Sequence, residues 1–227
     1  MKRIFVVVEG ETEERFLRQV VYSHFILHGI HIDAQQWLTN RKLGTKGGGS
    51  NFDFVERHIN NLISKYKTDP NVYISTMIDL YNFPTQGNTI YDNDIKRLQN
   101  GRDKVRLLQE KFSEQIPNRN FIPYVQLYEY ETLLLSNPDS LSYYYTDKQN
   151  EIEYLKNEIK GIEPEDINDT PENAPSKRII RYLPSYSKQK TTAGVTAAEK
   201  IGLHYLRQHC PHFNDWITKI ESLSTQP

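Results

Sequence analysis

The chain has 227 residues, 37% hydrophobic and 25% charged, which fits one large domain or one domain with an appended subdomain. No apolar run approaches the roughly 18 residues of a membrane span, and MKRIFVVVEG is too short an apolar stretch, without a small-residue cleavage site, for a signal peptide. A net charge of -1 excludes a general polycation but not a local basic stripe, and a single cysteine rules out an internal disulfide, so a reducing cytoplasm is expected.

In chain order, residues 2–8 read as a buried strand rich in β-branched side chains. A helix follows, with Thr12 as its cap and Phe16, Leu17, Val20, Val21, His24, Phe25 and Leu27 at helical spacing; Gly29 ends it. Residues 31–38 form a weaker second strand. The glycine density of residues 43–51 (LGTKGGGSN) predicts a loop. A second amphipathic helix spans residues 52–66, and a third strand spans residues 71–79. After a loop insertion, residues 95–115 read as a helix and residues 120–127 as a fourth strand. This β-α-β-α-β-α-β order predicts an α/β layer with a mainly parallel four-stranded sheet flanked by helices.

The texture changes near residue 140, which sets an expected core of residues 1–139 and a mostly helical extension of residues 140–227 packed on it. The extension holds predicted helices at residues 150–159 and 196–208 and in the closing CPHFNDWITKIESL, with a basic, tyrosine-bearing segment at residues 174–190.

Three predicted strands run into acids: Glu9 after the first, Asp79 at the end of the third, and Glu129 with Glu131 after the fourth. Ligands of open α/β sheets bind at the carboxyl ends of strands, where these acids would converge if the strands are neighbours. Clustered carboxylates raise one another's pKa unless a cation sits among them, and hard divalent ions such as Mg²⁺ or Mn²⁺ prefer such oxygen ligands. Glu13, about one helical turn after Glu9, could face the same point, with Gly10 allowing a tight turn beside them. Glu11 and Glu14 are better read as acids that complement the dipole of a first helical turn.

The expected ligands are therefore Glu9, Glu13, Asp79 and Glu131, with Glu129 next. Lys177, Arg178, Arg181, Lys188 and Lys190 form the densest basic stretch, suited to phosphate, and Tyr182 and Tyr186 could stack on bases. Lys177 or Lys188 could stabilise a negative transition state. The loop at residues 43–51 lacks the ending of a phosphate loop, and His204, His209, Cys210 and His212 lack a second cysteine, so neither is read as a ligand site.

The strand running into EGxTE, followed by a strand ending in Asp, resembles the Toprim fold of topoisomerases, primases and OLD-family nucleases. Across nearly the whole chain the motifs VEGETEERFL, TMIDLYNFP, FIPYVQLYEYETLLL, APSKRI, YSKQKTTAG and IGLHYLRQHCPHFNDW resemble the Toprim-like bacterial domain-of-unknown-function family 4276. By that resemblance Glu9 matches the glutamate after the first strand, Glu13 the second acid of the nuclease version, and Asp79 the first aspartate of Asp-x-Asp. Tyr81 stands where the second aspartate would be, and the resemblance to OLD-like nucleases implies Glu129 or Glu131 as the replacement ligand. The resemblance implies a metal-dependent nuclease acting on DNA or RNA, an effector of an anti-phage module with an ATPase partner. The alternative is a non-catalytic Toprim-like protein that binds a partner or nucleic acid. A homo-oligomer is compatible with either.

Overall fold

The computed structural model describes residues 1–37, 51–168 and 170–224. The predicted loop lies outside these residues except for Asn51, as does the last residue of the predicted second strand. Strand β1 (Lys2–Val8) leads into α1 (Glu11–Phe16), a π-helical stretch (Leu17–Val21) and α2 (Tyr22–Leu27). Then come β2 (Ile30–Gln36), α3 (Phe52–Lys65), β3 (Val72–Asp79), α4 (Asn93–Arg97) and α5 (Gly101–Gln115). The fourth strand is split into β4 (Phe121–Ile122) and β5 (Val125–Gln126). The remainder is helical: α6 (Glu131–Leu134), α7 (Gln149–Glu158), α8 (Pro175–Tyr182), α9 (Tyr186–Gln189), a second π-helical stretch (Lys190–Gly194), α10 (Val195–Ile201), α11 (Leu203–His209) and α12 (Pro211–Glu221).

All strand pairs are parallel, in the order β2-β1-β3-β4, with β5 also on β3. The fourth strand keeps a single register across its break, since Ser75 faces Ile122 and Ile78 faces Val125. Pro123 removes a ladder donor at the break. The Thr76 hydroxyl makes up part of the loss: it donates to the Tyr124 carbonyl and accepts from the Tyr124 N–H, each at 2.8 Å.

Alternating residues of β1 feed two buried clusters, because both faces of a parallel sheet are covered. Phe5 and Val7 join α3 and α5 on one face. Ile4, Val6 and Val8 join Phe16, Leu17 and Phe25 on the other, together with Leu141, Leu155, Ile179, Tyr186, Phe213 and Ile217 from the carboxyl-terminal helices. Those helices thus share a core with the sheet, and Trp216 reaches into it to donate its indole N–H to Ser75 Oγ at 2.9 Å.

Four local expectations are corrected. Thr12 is not the cap of α1, which is Gly10; the Thr12 hydroxyl instead meets that of Thr191 at 3.1 Å. Leu27 is 79% exposed, because a π turn closes its hydrogen bonds one residue later and shifts every later side chain around the axis. The helix predicted for residues 95–115 breaks before Asn100, whose side chain caps α5 by accepting from the Arg102 N–H at 2.7 Å. The helix predicted for residues 196–208 breaks at Gly202, whose φ of 78° an L side chain rarely adopts.

Gly101 opens α5 directly against Tyr128, where an added Cβ would lie 2.6 Å from the ring. Gly101→Ala should therefore lower stability by about 1–3 kcal/mol through overpacking. A shift of the urea midpoint at unchanged slope would measure it, and an unchanged midpoint would show that Tyr128 yields freely.

Candidate metal centre

Strands β1, β3 and β5 lie side by side, so their carboxyl ends share one edge of the sheet. Glu9 directly follows β1, and Asp79 is the last residue of β3. After β5 the chain turns at Tyr128, a bulky residue held at φ 56°, before Glu129 and Glu131. Such a conformation costs a non-glycine residue energy and persists only where packing enforces it. Here the close stacking on Gly101 and a bond from the Tyr81 N–H to the Tyr128 carbonyl (3.1 Å) supply that enforcement.

Glu13, Asp79 and Glu131 are buried, while Glu9 and Glu129 are half-buried. Glu13 Oε2 accepts the Gly10 N–H at 3.0 Å, the reach-back half of a capping box. Gly10 itself has extended backbone, with φ -151°, so its part is to offer that N–H rather than to make a special turn. Glu129 Oε2 accepts the Ser176 N–H at 2.8 Å, in the first turn of α8. Glu131 Oε1 accepts from the Tyr186 hydroxyl at 3.2 Å and pairs with Lys190 Nζ at 3.0 Å.

Burial pushes the Glu9 carboxyl up to about 7; Glu13 adds to this, and the Asn82 side chain and Lys190 oppose it. Asp79 is held well above the usual carboxylate range by burial first, then by Glu13, Glu9, Glu131 and Glu129. Glu13 and Glu131 are also raised, chiefly by burial. Burial works against the charge of Lys190, but Glu131, Glu129 and Asp79 outweigh it and raise its pKa. Glu9, Glu13, Asp79 and Glu131 are thus all raised, with Lys190 as an ammonium beside them.

The donor set suits a hard divalent cation. Asp79 Oδ1 is buried with no hydrogen-bond partner, a costly state for a carboxylate oxygen that a cation would relieve. Among the described residues, no three of these carboxylates bring ligating oxygens within 4.8 Å of one another. An ion drawing them together would compete with Lys190 for Glu131.

The basic residues separate into two groups. Arg178 is buried and paired with Glu158, and its Nε donates to the Asn173 carbonyl at 3.0 Å. Arg181 Nη1 reaches both oxygens of Glu158, at 2.9 and 3.0 Å, and Nη2 donates to Asn173 Oδ1 at 2.7 Å. The two guanidiniums hold α8 to α7 in this structure, and so does the Tyr182 hydroxyl on Glu158; for the buried Arg178 this corrects its reading as a phosphate contact, whereas Arg181 stays exposed and Tyr182 half-buried. Tyr186 is fully buried on Glu131 and cannot stack on a base. Lys177 and Lys188 are exposed, and neither makes an ion pair among the described residues. The lysine that reaches the acids is Lys190, not Lys177, brought there as the π-helical stretch packs on α1. The basic stretch marks Lys190 as a phosphate contact but not as the partner of Glu131, and nothing in residue spacing marks Asn82.

Glu11 and Glu14 pair with Arg15 (2.7 Å) and Arg18 (2.8 Å), as their place in a first turn suggested. The His212 ring contacts the Val125 carbonyl at 2.8 Å and stacks on Tyr124, and Cys210 is buried.

The raised pKa of Glu9 fixes the sign of a stability effect. Between its ordinary value of 4.5 and about 7, the folded state binds a proton that the unfolded chain has released. Stability from this group is present below the window and lost as pH rises through it. His58 and His212, lowered by burial, act in the opposite sense, so a difference between variants isolates the effect. Without metal, Glu9→Gln should match the parent near about pH 5 and exceed it by about 1–3 kcal/mol above about pH 7. Thermal melts across that range measure it, and a pH-independent difference would contradict the assignment.

The family model described as "Domain of unknown function (DUF4276)" matches residues 8–221. No curated protein matches the chain. Among solved structures, it is similar to the C-terminal region of the OLD protein of Xanthomonas campestris pv. campestris. The mercury-phased structure is 14% identical with a TM-score of 0.36, covering 96% of this chain and 98% of that one. The iodine-phased structure is 16% identical with a TM-score of 0.35, covering 96% and 97%. At that level the likeness does not extend to chemistry. The family match, by contrast, runs from the last residue of β1 to the end of α12, and the chain belongs to the DUF4276 family.

Proposed function

We propose that this chain is a metal-dependent nuclease of Toprim type that cleaves phosphodiester bonds in DNA or RNA. The observation that carries this reading is the convergence of Glu9, Glu13, Asp79, Glu129 and Glu131 at one sheet edge, with a buried Asp79 oxygen left unpartnered. A binding module gains nothing from burying acids that repel one another. Glu9, Glu13, Asp79 and Glu131 would hold Mg²⁺ or Mn²⁺, with Glu129 beside them. One or two such ions supply activation of a water and stabilisation of the leaving oxygen.

The chain's own residues do the rest. Lys190, beside Glu131, can meet negative charge that develops on the phosphate. Ser176 and Tyr186 orient Glu129 and Glu131 through the bonds described above. A shallow groove of about 380 Å³, lined by Glu11, Arg15, Ser187, Lys188, Lys190 and Thr191, adjoins the acids and can follow a nucleic-acid backbone. On this reading residues 1–139 form the catalytic core and residues 140–227 an extension that supplies Lys190. The motif resemblance supports an ATPase partner and a role in phage defence, and the single cysteine supports a cytoplasmic setting. Among the described residues no helix is long and apolar enough to cross a membrane.

Tyr81 favours a second reading, a Toprim-like binder without catalysis. It occupies the position of the second aspartate, and its ring lies 5.6 Å from that of Tyr128.

A cleavage assay separates the two. With Mg²⁺ or Mn²⁺ and single- or double-stranded DNA or RNA, the parent should cut, and Asp79→Asn or Glu131→Gln should lose at least about 100-fold. Lys188→Ala should weaken substrate binding and flatten its salt dependence while leaving turnover at saturation near the parent's. Cutting that survives Asp79→Asn would overturn the site. A parent that binds nucleic acid yet cuts nothing, with the ATPase present, would favour the binder.

A further inference from the structure

We propose a second metal site, formed by His24, His28 and Glu221, for Zn²⁺ or a similar borderline divalent ion. It is independent of the acidic centre and lies at the other end of the sheet. The chain leaves α2 through Gly29 into Ile30, which pairs with Lys2 at the start of β1, whereas the acids follow the strands' last residues.

His24 and His28 stand one turn apart on the same helix face, with ring centroids 4.5 Å apart. One ligating atom from each of His24, His28 and Glu221 lies within 4.8 Å of the others. Two imidazoles and one carboxylate form a donor set that suits zinc rather than Mg²⁺.

Two features prepare the site. His28 Nδ1 lies 2.9 Å from the His24 carbonyl, which can only accept, so Nδ1 carries the proton and Nε2 keeps its lone pair for a metal. Glu221 is fixed by Arg207, whose two terminal nitrogens donate to its two oxygens at 2.5 and 2.9 Å. Arg207 is itself anchored by Nε donating to Asn214 Oδ1 at 2.7 Å. The carboxylate is thus fixed before any ion arrives, with Oε1 accepting from His24 Nε2 at 2.6 Å, and an ion bound there would take the place of that Nε2 proton, released to solvent. Zinc bonds of about 2.0–2.1 Å in tetrahedral array hold neighbouring ligand atoms about 3.3 Å apart, so an ion asks the His24–Glu221 pair to open by under about 1 Å and any pair near the 4.8 Å limit to close. His24 and Glu221 are about a quarter exposed, with side-chain accessibilities of 25% and 20%, leaving a coordination position open to solvent. The bound ion would staple α2 to the last turn of α12, joining the first helical segment to the last.

A His24–Glu221–Arg207 bridge with no metal accounts for two of the three ligands, and His28 would then only cap the His24 carbonyl at the end of α2, as His209 caps Tyr205 in α11. His28→Ala separates the accounts, because it leaves that bridge intact and should fold. Zinc alone would be dialysed against the full chain, with bound metal counted by elemental analysis and unfolding followed by heat. The parent should retain one more zinc per chain than His28→Ala and His24→Ala, Asp79→Asn should retain one more than the Asp79→Asn/His28→Ala double variant, and zinc should raise the melting temperature of Asp79→Asn but not of that double variant. Co²⁺ in its place should give the visible absorption of a four-coordinate site in the parent and in Asp79→Asn but not in His28→Ala. Equal zinc content in parent and His28→Ala, or none in either, would overturn the proposal. Loss of zinc only in Asp79→Asn would assign the ion to the acidic centre and overturn it as well.

Discussion

The structure is organised around the mutual repulsion of buried carboxylates. Five acids meet at one edge of a parallel sheet, and three of them are nearly removed from water. Like charges in such a place either take up protons or need a cation. The Glu9 carboxyl, raised to about 7 by burial first and by Glu13 next, and the unpartnered Asp79 oxygen are two signs of carboxylates held away from water and beside one another. A fold that keeps such an arrangement gives up stability at neutral pH, as functional sites commonly do.

The carboxyl-terminal helices belong to that arrangement rather than decorating it. They share one buried cluster with β1, and they bring three of the groups that manage the acids: the Ser176 N–H, the Tyr186 hydroxyl and Lys190. Lys190 sits on a π-helical stretch, an irregularity that recurs at functional sites because it re-aims side chains. Gly194, at the end of that stretch, lies so close to Tyr186 that an added Cβ would fall 2.9 Å from its hydroxyl.

Much of this was legible in the sequence, for a physical reason. An apolar β-branched run that ends on an acid marks a strand and its carboxyl end together, and three such runs predicted a shared edge. The parallel sheet, its strands and the acids Glu9, Asp79, Glu129 and Glu131 follow from that. What the sequence hid depends on partners distant along the chain. A stretch such as SKRIIR reads as a basic surface whether or not Glu158 neutralises it, so Arg178 and Arg181 could not be told from Lys177. A π turn leaves the residue pattern unchanged while shifting the faces after it, which is why Leu27 is exposed and His28 turns toward Glu221. The break in the fourth strand shows in Pro123, but its repair by Thr76 does not.

The central claim is that the acid cluster is built for a divalent cation, and the most direct test is proton release on metal binding. Mn²⁺ would be titrated into the chain calorimetrically near about pH 7, in two buffers that differ in ionisation heat. A cation that displaces protons from carboxyls raised by burial, Glu9 among them, must release them to the buffer. The account predicts binding with proton release in the parent, and loss of both in Asp79→Asn. Binding with no protons released, or binding unchanged in Asp79→Asn, would contradict it.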